Sequence, residues 1–183
     1  MSIEIEKKYR LNETERERLS QRLSEAGALC EGTEFEENTI YTGGNLVPGR
    51  SILRVRRVGG RAVLTYKERF PSSSSIKRQR EEETLVDDAE ALSAILDALG
   101  LTPALVYEKR RETWRVSSGP IVVIDELPFG LFAEIEGEED AIEDAEKLLG
   151  LERVEAEPAT YPQLTAQHGQ RNGAAIEARF KNN

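Results

Sequence analysis

The chain has 183 residues, 32% charged and 38% hydrophobic, enough for one domain with a substantial buried core. Acids outnumber bases 34 to 25, a net charge of −9, which argues against a duplex-binding module because such domains are usually basic. One cysteine, Cys30, and one histidine, His168, exclude an intrachain disulfide, a thiolate-cluster metal site, a histidine-based zinc site and histidine-dependent nucleophilic catalysis.

In chain order, the strict alternation that begins at Ile3 predicts a strand to about Arg10. Asn12 with Glu15 forms a capping box, and Leu19, Leu23 and Ala26 recur at helical spacing, predicting a helix over about 13–27 that Gly27 stops. Strands follow over about 34–42, 51–58, 61–69 and 78–86, with Val58-Gly59-Gly60-Arg61 as a tight-hairpin signal. Arg69 through Arg80, with its serine run, reads as a mobile loop over a site or as a solvated hairpin. A helix over about 88–99, capped by Asp87 with Glu90, precedes strands over about 104–116, 120–126 and 131–137. A last helix spans about 140–149 before Gly150. All seven prolines fall between these elements or at their edges. Residues 166–183 turn to Gln, Asn, Gly and Ala and are expected to fray as a polar C-terminal tail behind a domain over 1–165. The N-terminus lacks the apolar run of a signal peptide, and the longest aliphatic stretch is Ile121–Ile124, so a cytoplasmic, membrane-free protein is expected.

The charges sit on strands, where successive side chains face opposite ways. Glu4, Glu6 and Lys8 share one face, as do Arg54 and Arg56, Glu81 and Glu83, Lys109 and Arg111, and Glu134 and Glu136. An ordinary solvated sheet face would also alternate, but it would mix signs and include Thr, Gln and Ser. Here acids and bases segregate by strand, while three helices carry apolar stripes that need the opposite sheet face. A sheet that curls with its helices outside turns its charged side into a lining. Such a lining is costly unless the charges compensate one another or bind a ligand. Seven acids (Glu4, Glu6, Glu81, Glu83, Asp125, Glu134, Glu136) would face six bases (Lys8, Arg54, Arg56, Lys67, Lys109, Arg111). Carboxylates suit hard divalent cations, and guanidinium and ammonium groups suit phosphate oxygens, so a metal-bound triphosphate satisfies both sets. Gly43-Gly44 is no phosphate loop, since neither Lys-Ser, Lys-Thr nor a helix follows. Trp114 and Tyr66 are expected in core or edge packing rather than stacked on a base.

Glu4-Ile5-Glu6-Lys7-Lys8 matches the ExExK signature of the CYTH proteins, the triphosphate tunnel metalloenzymes. Leu53-Arg54-Val55-Arg56, Leu64-Thr65-Tyr66-Lys67, Glu81-Glu82-Glu83, Lys109-Arg110-Arg111 and Phe132-Ala133-Glu134-Ile135-Glu136 follow in that family's order. The chain resembles this family over about residues 1–165. Its Asp125-Glu126-Leu127 segment and its late Thr160-Tyr161-Pro162 look most like the bacterial class IV adenylate cyclase branch. The resemblance implies an α+β fold, an eight-stranded antiparallel β-barrel tunnel with flanking helices. It also implies Mg²⁺ or Mn²⁺ held by Glu4, Glu6, Glu134 and Glu136, with Asp125 completing or orienting the site. Glu81 and Glu83 would serve a second cation or hold basic side chains, and Glu81 and Arg56 are also candidates for internal salt bridges. Lys8, Arg54, Arg56, Lys67, Lys109 and Arg111 would grip phosphates, with Glu4, Glu6, Lys8 and Glu136 at the catalytic centre. The implied activity is conversion of ATP to cyclic AMP and pyrophosphate. The alternatives are hydrolysis of inorganic, thiamine or nucleoside triphosphate, and, outside enzymes, a polyphosphate-binding module. The expected partner is a triphosphate-containing small molecule, with no nucleic acid or membrane, on a monomer or homodimer.

Overall fold

A computed structural model of the protein describes residues 2–70, 75–117 and 119–181. Eight strands close into an antiparallel barrel: β1 (Ser2–Leu11), β2 (Leu29–Gly43), β3 (Ser51–Val58), β4 (Arg61–Arg69), β5 (Lys77–Val86), β6 (Leu101–Arg115), β7 (Ile121–Leu127) and β8 (Gly130–Glu136). The order around the barrel is β2-β3-β4-β5-β1-β8-β7-β6, and pairing of β6 back onto β2 closes it. That closing ladder is long, running from Leu29↔Arg115 to Gly43↔Leu101.

Local chemistry explains most of the turns and ends. The β3–β4 hairpin turns on Gly59 (φ 53°) and Gly60 (φ 76°), a pair of left-handed positions that side chains with a Cβ resist. Helix α1 (Glu13–Glu25) opens on the expected capping box between Asn12 and Glu15. Helix α2 (Ala89–Ala98) is capped by Asp88 rather than Asp87, because the Asp88 side chain accepts from the backbone of Glu90 and Ala91. Helix α3 (Glu139–Leu149) ends on a left-handed Gly150. Pro103 lies inside β6 and not at its edge. It sits where the β2–β6 register shifts between Ile40 and Tyr41, an irregularity that tolerates its missing N–H.

Three apolar clusters place the helices. Helices α1 and α3 cover the outer face of β1, β7 and β8, burying Leu19, Leu23, Ile142 and Leu149 against Tyr9, Ile124, Ala133 and Ile135. Trp114 belongs to this outer cluster, so it packs in the core as expected. Helix α2 lays Leu92 and Leu96 on Tyr41, Leu53, Val55 and Leu64. The third cluster lies on the inner side: α4 (Tyr161–His168) packs Tyr161 and Leu164 on Ile40, Tyr107, Leu127 and Phe132. Those strand residues share faces with the charged lining, so α4 fills one end of the barrel. The C-terminal segment does not fray. It forms a hairpin of β9 (Gln170–Asn172) and β10 (Ala175–Ala178), and β10 pairs in parallel with Leu105–Tyr107 of β6. The segment read as a loop from Arg69 to Arg80 is shorter, since Lys77–Arg80 belong to β5; its residues 71–74 lie outside the described residues. Among the described residues no helix is long and apolar enough to cross a membrane.

Candidate active site

A cavity of about 760 Å³ runs inside the barrel, a volume suited to a nucleotide-sized ligand. Twelve of the thirteen sequence-predicted site residues line it: Glu4, Glu6, Lys8, Arg54, Arg56, Lys67, Glu81, Glu83, Lys109, Arg111, Glu134 and Glu136. Strand parity and register bring them together. Glu6 stands opposite Glu136 and Lys8 opposite Glu134 on β1–β8, while Lys67 stands opposite Glu81 on β4–β5. Asp125 is the exception. It is fully buried and outside the lining, with its carboxylate engaged by Arg111 (2.6 and 2.8 Å), by the Tyr161 hydroxyl (2.7 Å) and by Lys109 (3.4 Å).

The acids divide into two groups. Carboxylate oxygens of Glu4, Glu6 and Glu136 all lie within 4.8 Å of one another. Burial and the neighbouring carboxylates raise the proton affinity of each: desolvation and Glu81 act on Glu4, desolvation and Glu134 on Glu6. Burial is also the main cause for Glu136, pushed up to about 7 against the opposing pull of Arg111. Three crowded carboxylates with raised proton affinity carry more negative charge than the cations beside them offset, and their all-oxygen donor set fits a hard divalent cation. The cluster is only partly countered: Lys67 lies 2.6 Å from Glu4, Lys77 3.6 Å from Glu6 and Arg111 3.7 Å from Glu136.

The other acids are already paired. Glu134 contacts Lys8 at 3.3 Å and Arg111 at 2.6 Å, and these cations hold it well below the usual carboxylate range despite its burial. Glu81 and Glu4 both reach Lys67, at 2.8 and 2.6 Å. Glu83 takes Arg56 at 3.3 Å and the Thr65 hydroxyl at 3.1 Å. Glu81 and Arg56 are therefore both ion-paired within the barrel, and Glu83 faces a guanidinium rather than joining the three-carboxylate cluster.

Several residues of the site escape the sequence reading. Glu36, 2% exposed, meets Lys109 at 3.3 Å and Arg56 at 3.6 Å. Burial alone would raise it, but Lys109, Arg111 and Arg56 outweigh that and hold it at about 2. Gln79 donates to Glu4 at 2.7 Å. Lys77, Gln79, Glu81 and Glu83 continue one alternating face of β5, and Glu36 and Asn38 share a face of β2, so the same parity rule extended by a few residues finds them. Arg54 Nε and Arg56 Nε are buried without a hydrogen-bond acceptor, leaving donor capacity in the lining for an anion.

Comparison with known proteins agrees with this fold. A family model described as the CYTH domain matches residues 2–161. A protein of Methanocaldococcus jannaschii named "Putative adenylate cyclase" is 26% identical over 150 residues, which is 80% of this chain and 83% of that relative. A solved structure from Pyrococcus horikoshii OT3 superposes with a TM-score of 0.76 at 27% identity, covering 86% of this chain and 96% of that one. A Hippeastrum protein, described as a "Putative adenylyl cyclase" with a dominant triphosphatase activity, shares the fold at a TM-score of 0.69 and 20% identity, covering 91% and 96%.

Proposed function

The chain belongs to the CYTH family, and from that premise we propose that it is a divalent-metal-dependent enzyme converting ATP to cyclic AMP and pyrophosphate. The observation that carries the reading is the joint presence, in one cavity, of three carboxylates within 4.8 Å of one another and a wall of phosphate-matching cations. Glu4, Glu6 and Glu136 would hold Mg²⁺ or Mn²⁺, which when bound withdraws charge from phosphate oxygens and stabilises the departing pyrophosphate.

The chain's own side chains do the rest. Lys8, Arg54, Arg56, Lys67, Lys109 and Arg111 bind the phosphate oxygens and align the triphosphate. Glu134 and Asp125 act as fixed counter-ions: Asp125 bonds Arg111 through two nitrogens and holds its fork in one orientation. The ribose 3′-oxygen attacks the α-phosphorus, the bond from that phosphorus to the β-phosphate bridge breaks, and the hydroxyl proton is released.

The test presents ATP, tripolyphosphate and thiamine triphosphate with Mg²⁺ and with Mn²⁺, scoring cyclic AMP, pyrophosphate and orthophosphate. Cyclic AMP with equimolar pyrophosphate is expected from ATP. Orthophosphate from tripolyphosphate or thiamine triphosphate would assign a triphosphatase, and binding without turnover would assign a sensor.

A further inference from the structure

Residues Ala159–Leu164 belong to no strand of the barrel, yet they hold two of its charged side chains directly and a third through a relay. The Lys8 ammonium lies 3.6 Å from the centroid of the Tyr161 ring and donates to the Ala159 carbonyl at 3.2 Å. The Lys109 ammonium lies 5.3 Å from the same centroid. The Tyr161 hydroxyl donates to Asp125 at 2.7 Å, and Asp125 in turn takes both Nε and Nη2 of Arg111. One buried tyrosine thus touches or relays to three of the six bases in the lining.

The ring does something a carboxylate cannot. Glu134 holds Lys8 by partly neutralising it, whereas the aromatic face attracts the ammonium through its quadrupole without adding a second negative charge beside it. A lysine held this way loses little further side-chain freedom when phosphate arrives. Burial and the nearby Asp125 keep the Tyr161 hydroxyl protonated, so it remains a donor.

The platform is itself braced. Tyr161 packs edge-on to Phe132 at 5.5 Å and tilted to Tyr107 at 6.1 Å. Thr160 and Gln163 cap the helix reciprocally, and the Thr165 hydroxyl returns to the Tyr161 carbonyl. Behind the helix, Ala178 of β10 joins the same apolar cluster, and Arg179 clamps β10 to Glu37 and Glu108 at 2.6 and 3.0 Å. Part of this bracing, from Gln163, Thr165, Ala178 and Arg179, lies beyond residue 161, where the family match ends.

We propose that Tyr161 is a positioning residue for triphosphate binding: its ring face fixes the Lys8 ammonium, and its hydroxyl fixes Asp125 and through it the Arg111 fork. What those cations grip rests on the function proposed above; that the ring holds them does not. The test uses the full chain carrying Tyr161→Phe, which keeps the ring, and Tyr161→Leu, which removes it. Tyr161→Met, which fills the space more flexibly, replaces the leucine variant if that one fails to fold.

Two readouts are taken. Tripolyphosphate affinity and steady-state kinetics report the phosphate grip, and limited acetylation read by mass spectrometry reports the exposure of Lys8. Removal of the ring is expected to weaken tripolyphosphate binding about tenfold while kcat changes about twofold or less, and Lys8 is acetylated several times faster. The phenylalanine variant restores Lys8 protection and most of the affinity. In a Lys8→Met background, removing the ring costs less affinity than it does in the wild type, because only the Lys109 contact and the hydroxyl remain to be lost. Unchanged Lys8 reactivity in the leucine or methionine variant overturns the positioning role. A wild-type protein that binds no triphosphate instead overturns the proposed function and the purpose given to Tyr161, while the acetylation result still stands.

Discussion

Two glutamates on opposite sides of the barrel show how neighbours, not burial, divide the work. Glu6 and Glu36 are both buried, 7% and 2% exposed, and both pay the same kind of desolvation cost. Glu6 has Glu4 and Glu136 beside it, and its proton affinity rises. Glu36 has Lys109 and Arg56 beside it, and its carboxyl is held at about 2. The first is a carboxylate short of positive charge, and the second is a permanent anion that keeps cations in place. In a barrel interior built from both signs, the proposed metal ligands are the acids whose crowding outweighs the cations beside them.

The sharpest way to break this comparison is to neutralise one acid on each side. Glu6→Gln is expected to lower metal-dependent turnover about 100-fold or more, and to abolish the rise in melting temperature on adding millimolar Mg²⁺ or Mn²⁺. Its melting temperature in chelator should hold, because the substitution relieves carboxylate crowding. Full turnover in this variant would remove the metal role. Glu36→Gln should act on the fold instead, costing about 2–3 kcal/mol at neutral pH because it leaves buried cations short of a partner.

That cost carries a pH signature. A carboxyl whose folded pKa is depressed stabilises the protein fully above its unfolded value of about 4.5, and the contribution disappears as pH falls towards 2. The stability gap between wild type and Glu36→Gln, measured by urea unfolding, should therefore hold from neutral pH to about 5 and narrow steadily as pH falls towards 2. A gap that stays constant would mean the carboxylate charge is irrelevant. Arg54→Ala should weaken triphosphate binding about tenfold while leaving the cation-induced melting shift intact, since it removes a phosphate donor and no metal ligand. An unaltered dissociation constant would take Arg54 out of the grip. The smallest effect belongs to Glu83, whose side chain is 40% exposed in its pair with Arg56; Glu83→Gln should change stability by about 0.5 kcal/mol or less.

How far the sequence carried differs from residue to residue. The charged faces of β1, β3, β6 and β8 were legible because strand alternation has a period of two and needs no knowledge of partners. Lys77 was missed because the serine run made its segment look like a loop, and Glu36 because it stands among other acids on a strand whose paired side was not evident. Asp125 shows a different limit. Its place beside an aliphatic strand was plain, but its withdrawal behind Arg111 depends on Tyr161, 36 residues away. The expected tail failed for the same kind of reason: Ala175–Ala178 has little strand character alone and becomes a strand by pairing with Leu105–Tyr107.

The sequence by itself determined the alternation, the caps, the hairpin glycines and the segregation of acids from bases, all of which are local in the chain. The tertiary structure decided which face turns inward, which carboxylates are neutralised, and what stands behind the cations. Those outcomes depend on the β2–β6 closure and on α4 filling one end of the barrel, and the energy of a buried charge is set by the groups that such long-range pairing brings within a few ångströms of it.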